Sequence, residues 1–261
     1  MSSRLTPTTC QAVDAALRVF INLVLAKRKP RQAALAALVL VMSTIVSQLR
    51  KDVPIFLNAV IERLATMTHA IDVSSYVADH VCLRTETEAE YLSVCQALTN
   101  AGCALLVESV IGGRFISTFA FEPPIHCPSS GHSIAALEVP APKRSSFYKS
   151  GLEHVEFALS DVSKHSPANT PDHKSALLAF VSNSSTISTN LFDCTASDKY
   201  INPDVSLELT NLHYKTNDAA SIKHFPTSAT VKFHLIPLTD VIAWEIANQK
   251  DAGTRLEREN R

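Results

Sequence analysis

The sequence predicts an α+β fold made of two successive βαβββ modules behind an N-terminal helical extension. Three observations predict it. First, an acid, a histidine and a valine leading into alternating residues occur at Ala78-Asp79-His80-Val81-Cys82-Leu83 and again at Leu152-Glu153-His154-Val155-Glu156-Phe157. Second, each copy is followed, one α/β unit later, by a short strand with another ligand-type side chain: Glu138 in 136–140 and His234 in 232–237. Third, the two-residue period of a strand sorts these segments into faces. Val81, Leu83, Leu137, Val139, Val155, Phe157, Val231 and Phe233 fall on one, and His80, Glu138, His154 and His234 on the other.

The first 51 residues hold eight basic side chains (Arg4, Arg18, Lys27, Arg28, Lys29, Arg31, Arg50, Lys51) and one acid, Asp14. Two apolar helical stretches, about 12–26 and 33–48, flank the basic cluster. Each is shorter than the roughly 20 apolar residues a membrane span needs. A basic, acid-poor start of this kind also resembles an organelle transit peptide, which stands as the alternative to a cytoplasmic location. From Thr44 to Ala70 the apolar residues keep helical spacing, and Pro54 predicts a break or a new helix start.

The first module then reads as strand 77–84, helix 86–101, strands 103–110 and 114–121 and strand 132–139. The helix should bury Ala89, Leu92, Cys95 and Leu98, and end at Gly102. The two middle strands meet at Gly112-Gly113. After a Pro-containing connector the pattern repeats: strand 152–159, helix 173–182, strands 186–192, 204–210 and 229–235. A polar excursion occupies 211–228, and a helix starting near 238 runs into a charged tail at 246–261. The domain boundaries expected are therefore 1–43, 44–245 (modules about 77–140 and 152–236) and 246–261.

With 24 basic and 25 acidic residues the chain has no basic surplus with which to hold a nucleic acid. Its six cysteines form no Cys-x-x-Cys pair, which excludes a zinc knuckle and fits reduced thiols. No Gly-x-Ser-x-Gly elbow, P-loop or dinucleotide fingerprint is present. Three imidazoles and one carboxylate on one sheet face instead suit a borderline divalent ion, Zn²⁺, Fe²⁺, Ni²⁺ or Co²⁺. The expected ligands are His80, Glu138, His154 and His234. Asp79 and Glu153, one residue off, should point away. Glu156 shares the inward parity and is the candidate proton shuttle, while Arg84 and Arg114 are candidates to hold a substrate carboxylate. The other histidines, His132 and His173 among them, read as solvated. Neutral imidazoles titrate near 6.5, so affinity for the ion should fall between about pH 7 and 5.

A duplicated βαβββ unit with ligands on its first and fourth strands resembles the vicinal oxygen chelate superfamily, which includes glyoxalase I, extradiol dioxygenases and bleomycin-resistance proteins. Residues 44 to about 245 are similar more specifically to the YecM family of metal-binding proteins. The resemblance is carried by Ala78-Asp79-His80 with Leu83-Arg84, Gly113-Arg114, Leu137-Glu138-Val139-Pro140, Glu153-His154-Val155-Glu156, Asn202-Pro203 and Val231-Lys232-Phe233-His234. It implies a curved eight-stranded mixed sheet around a cleft, and a six-coordinate ion with two positions left for neighbouring oxygens of a small molecule. The reaction it implies is that of a lyase or isomerase working through an enediolate. An extradiol Fe²⁺ dioxygenase and a non-catalytic ligand- or metal-binding protein are the alternatives, so catalysis itself stays open. The partners expected are a small oxygen-rich molecule and neither nucleic acid nor membrane, with a homo-oligomer left open.

Overall fold

In the computed structural model, the structure describes residues 30–68, 70–143, 147, 149–159, 171–184, 191–199, 202–215 and 225–247. The apolar stretch 12–26, residues 216–224 of the polar excursion and the charged tail beyond 247 lie outside them. The elements are helix α1 (Pro30–Ala65), strand β1 (Val77–Arg84), helix α2 (Glu88–Asn100), strands β2 (Ala104–Ile111), β3 (Arg114–His126), β4 (Ser133–Pro140) and β5 (Gly151–Ala158), helix α3 (Pro171–Ser184), strands β6 (Asp204–Thr210) and β7 (Ser228–His234), and helix α4 (Leu238–Ala247). The protein is α+β, as expected. Among the described residues no helix is long and apolar enough to cross a membrane.

Helix α1 runs unbroken through Pro54, contrary to the expected break. A proline inside a helix costs about 3 kcal/mol. Against that, Leu49, Val53, Phe56, Leu57, Val60 and Leu64 are all buried, and each such side chain contributes roughly 1.5–3 kcal/mol. The buried stripe outweighs the lost hydrogen bond. Helix α2 starts on Thr87, whose hydroxyl accepts from Glu90 N, and stops before Gly102, whose φ of 87° needs a glycine. Its buried residues are Tyr91 and Leu98, and Leu92, expected inside, is 44% exposed. The face turns because the Tyr91 hydroxyl finds Glu108 Oε1 and Ser117 Oγ within the core, so the whole ring can be buried.

Among the described residues, seven strands form one mixed sheet in the order β2-β3-β4-β1-β5-β7-β6. Strands β1 and β4 are parallel, as are β5 and β7, and the two modules join through the antiparallel β1–β5 pair. The eighth strand expected at 186–192 falls mostly on residues 186–190, which lie outside the described set. Just after it, among the described residues, Asp193 forms an antiparallel bridge to Ser206 of β6. One face of the sheet packs on the helices. Val81, Leu137, Val139, Val155, Phe157, Val231 and Phe233 join its core, with Leu83 packed against it, as the alternation predicts. Phe157 and Phe233 stack at 5.9 Å, and Phe180 of α3 covers Phe233 at 4.7 Å. His132 and His173 are buried rather than solvated; His132 Nε2 donates to Val73 O, and its ring meets the Phe157 ring edge-on. No disulfide joins the five described cysteines.

Two irregularities in the β1–β5 ladder bear on the site. Ala78 pairs with Phe157 and His80 with Glu156, leaving Asp79 extra; Cys82 pairs with His154 and Leu83 with Leu152, leaving Glu153 extra. Each is a β-bulge, and each holds the acid of a duplicated acid-histidine motif. The core spacing confirms it, because Ala78 and Val81, and likewise Leu152 and Val155, share the core at three-residue separation.

Candidate metal centre

The four central strands β4, β1, β5 and β7 carry the side chains that face away from the helices. His80 Nε2 lies 3.8 Å from Glu138 Oε2 and 3.4 Å from Glu156 Oε1. His154 Nε2 lies 3.7 Å from Glu138 Oε2 and 3.3 Å from Glu156 Oε1. Imidazole nitrogens and carboxylate oxygens therefore alternate round a ring of four atoms, all within 4.8 Å of one another. An ion with bonds of about 2.1 Å in tetrahedral geometry spaces its ligand atoms ~3.4 Å apart, so the ring has the size of a metal shell. His80 Nε2 is buried without a hydrogen-bond partner among the described residues.

The bulges explain how the ring nitrogens are aimed. Asp79 Oδ2 accepts from His80 Nδ1 at 2.9 Å and from Leu238 N at 2.9 Å. Glu153 Oε2 accepts from His154 Nδ1 at 3.1 Å and from Arg84 Nε at 2.5 Å. In both repeats the extra residue swings its carboxylate to the outer nitrogen, which fixes the proton there and turns the Nε2 lone pair inward. The expectation that Asp79 and Glu153 point away is thus corrected: one inserted residue shifts the parity of the acid relative to the core, so it backs its own histidine.

His234 also donates its Nδ1 proton to a fixed acceptor, the carbonyl of Ile236 at 2.6 Å. Its Nε2, however, stands outside the ring, 3.4 Å from Asp79 Oδ2 and 3.7 Å from Glu156 Oε2. Register is the reason. Glu138 on β4 pairs with Cys82, two residues beyond His80, and on β5 the matching residue Glu156 pairs with Lys232. His234 pairs with Ala158, two residues further along, or roughly 6.6 Å. Glu156 fills the fourth ring position instead, as a ligand candidate rather than the separate proton shuttle expected.

Lys232 escaped the sequence reading, although it shares the parity of His234. Its Nζ donates to Glu156 Oε1 at 2.5 Å and lies 3.4 Å from His154 Nε2. Arg84 pairs through its Nε with the Glu153 carboxylate. Arg114 opens β3 at the hairpin, four residues from Thr118, the partner of Glu138. That is roughly 13 Å of strand. Cys82 is buried on the ring side with its Sγ 3.9 Å from Glu153 Oε2.

Electrostatics follow from this crowding. Burial opposes a charge on His80, but the carboxylates of Glu156 and Glu138 and the Asp79 hydrogen bond push its pKa up to about 10. His154 is likewise raised well above the ordinary value: burial opposes, the Cys82 sulfur favours and Lys232 opposes the charge, with Glu138 adding a favourable hydrogen bond. Glu156 is held well below the carboxylate range, since Lys232 and His80 outweigh its burial. Against burial, His154 and Arg84 bring Glu153 down to about 2. Burial also opposes charge on Lys232, yet Glu156 and Glu138 raise it above the ordinary amine range. The ring is thus stable either with protons on its imidazoles or with a cation that replaces them.

The profile of the YecM protein family matches residues 46–245. An uncharacterized protein of Haemophilus influenzae is 28% identical over 118 residues, covering 45% of this chain and 59% of that one, so the match spans about three-fifths of the relative. The solved structure of structural-genomics protein EC4020 superposes with a TM-score of 0.52 at 22% identity, covering 76% of this chain and 92% of that one, which is a likeness of fold. With the family profile running from α1 through α4, over the whole sheet and the ring it carries, this chain belongs to the YecM family.

Proposed function

We propose that this protein binds one divalent transition-metal ion through His80, Glu138, His154 and Glu156, and uses it to hold a small oxygen-rich molecule on a vicinal oxygen chelate-type sheet. The observation that carries the reading is the ring itself: four ligand-type atoms at metal-shell spacing, with each imidazole anchored through Nδ1 so that its other nitrogen faces in. Two imidazoles and two carboxylates suit Zn²⁺, Fe²⁺, Ni²⁺ or Co²⁺. Such an ion supplies Lewis acidity, polarising a bound oxygen and acidifying its proton. The chain's own residues do the rest. Asp79 and Glu153 lock the tautomers, the buried strands exclude water from the floor of the site, and Glu138, at 15% side-chain exposure, marks its open edge. Lyase or isomerase chemistry is the class this arrangement serves best.

The test is metal analysis of the purified full-length chain. About one divalent transition metal per chain is expected. His80→Ala and His154→Ala should each lose metal yet stay folded, because neither side chain belongs to the core cluster. Full occupancy in the double variant would reject the site.

A further inference from the structure

We infer that Lys232 makes this a site for anionic ligands, small carboxylates carrying a neighbouring hydroxyl or oxo oxygen, by supplying the ammonium that pairs with the carboxylate beside the ion. The inference rests on the metal-binding reading above and deepens it.

The register comes first. In the β1–β5 ladder His80 faces Glu156 and Cys82 faces His154. A pseudo-two-fold axis between these strands therefore exchanges His80 with His154 and Cys82 with Glu156. Glu138, partner of Cys82, is then exchanged with Lys232, partner of Glu156. The duplication that repeats the histidine replaces a carboxylate with an ammonium at the matching place. Position comes second. Side-chain exposure is 1% for His80 and 7% for His154 and Glu156, then rises to 15% for Glu138 and 25% for Lys232. The side from which a ligand arrives is thus the side that Lys232 occupies.

Competition is the third point. The Lys232 ammonium already holds Glu156 Oε1 and touches His154 Nε2, two of the four ring atoms. A divalent ion bound to those atoms takes the lone pairs and repels the ammonium, which then turns to the solvent edge. Counting Glu138, Glu156, Lys232 and a divalent ion, the loaded ring carries about one net positive charge. Asp79 lies on the buried side, engaged by His80 and Leu238. A monoanion with two adjacent oxygens satisfies both cations at once, one oxygen at the ion and a carboxylate on Lys232. A neutral vicinal diol satisfies only the ion.

The experiment uses the full-length chain loaded with Co²⁺, whose visible spectrum reports ligand binding without any turnover. The probes are glycolate and its neutral counterpart ethanediol. Lys232→Met should bind Co²⁺ more tightly, having lost a competitor, and glycolate at least about tenfold more weakly, the worth of one charge-assisted hydrogen bond. Ethanediol binding should not change, and Lys232→Arg should restore glycolate. Glycolate affinity unchanged in Lys232→Met overturns the inference while leaving the metal site standing. So does a parallel loss of Co²⁺ and glycolate, which would mean that Lys232 only supports the fold. Failure of the wild-type chain to take up Co²⁺ overturns the metal reading itself and this inference with it.

Discussion

Changing pH between 6.5 and 8.5 should alter metal affinity far more than free histidines would allow. Without metal, His80 is held protonated by Glu156, Glu138 and Asp79 up to about pH 10, although burial opposes the charge. Binding through Nε2 must displace that proton, so over this whole window the apparent affinity should rise about tenfold per pH unit, or about a hundredfold in all, from His80 alone. His154, also raised, adds to the slope. The carboxylates add nothing, because Glu138 and Glu156 are lowered and stay ionised. An imidazole at its ordinary 6.5 would change affinity only about twofold across the same range. The loss of affinity expected between pH 7 and 5 from unperturbed histidines is thus displaced to the alkaline side by the carboxylates facing them. The stability of the metal-free protein runs the opposite way. A folded-state pKa raised above 6.5 stabilises fully below 6.5, and that contribution is lost as pH rises toward about 10. The assay is competition with a chelator of known pH dependence at several pH values, with proton release recorded, beside thermal unfolding of the metal-free chain. A twofold change, or a metal-free chain that grows more stable from pH 6.5 to 9, would refute the reasoning.

Two further outcomes follow from the same geometry. Glu153→Gln should weaken metal binding by about 10- to 100-fold with the fold kept, because His154 loses the carboxylate that fixes its Nδ1 proton; unchanged affinity would show that the bulge has no role in aiming the ring. Phe233→Ala should destabilise the chain by about 3–5 kcal/mol in urea unfolding, since its fully buried ring packs on Phe157, Phe180 and Phe192 behind the ring-bearing strand. A loss under about 1 kcal/mol would mean that the core relaxes around the gap.

Much of the fold and three of the four ring residues were legible because alternation is a local property. A side chain's face follows from its parity along a strand, so Val81, Leu137, Val155 and Phe233 could be assigned to the core and His80, Glu138 and His154 to the opposite face without knowing which strands touch. The repeat of the acid-histidine motif likewise declared two modules. Parity is blind to height, however. Whether His234 or Glu156 completes the ring depends on how far β7 slides along β5, and the parallel pairing of Glu156 with Lys232 decides it. Parity also fails at an inserted residue. Asp79 and Glu153 read as outward until the ladder shows them as bulges, and a bulge exists only between two paired strands. The same holds for Pro54, which breaks a helix taken alone but not one whose apolar stripe is buried on both sides of it. Local chemistry along the chain determined which residues face the site; the register and bulges of strands far apart in sequence decided which of them meet, because those are set by cross-strand pairing and shared burial.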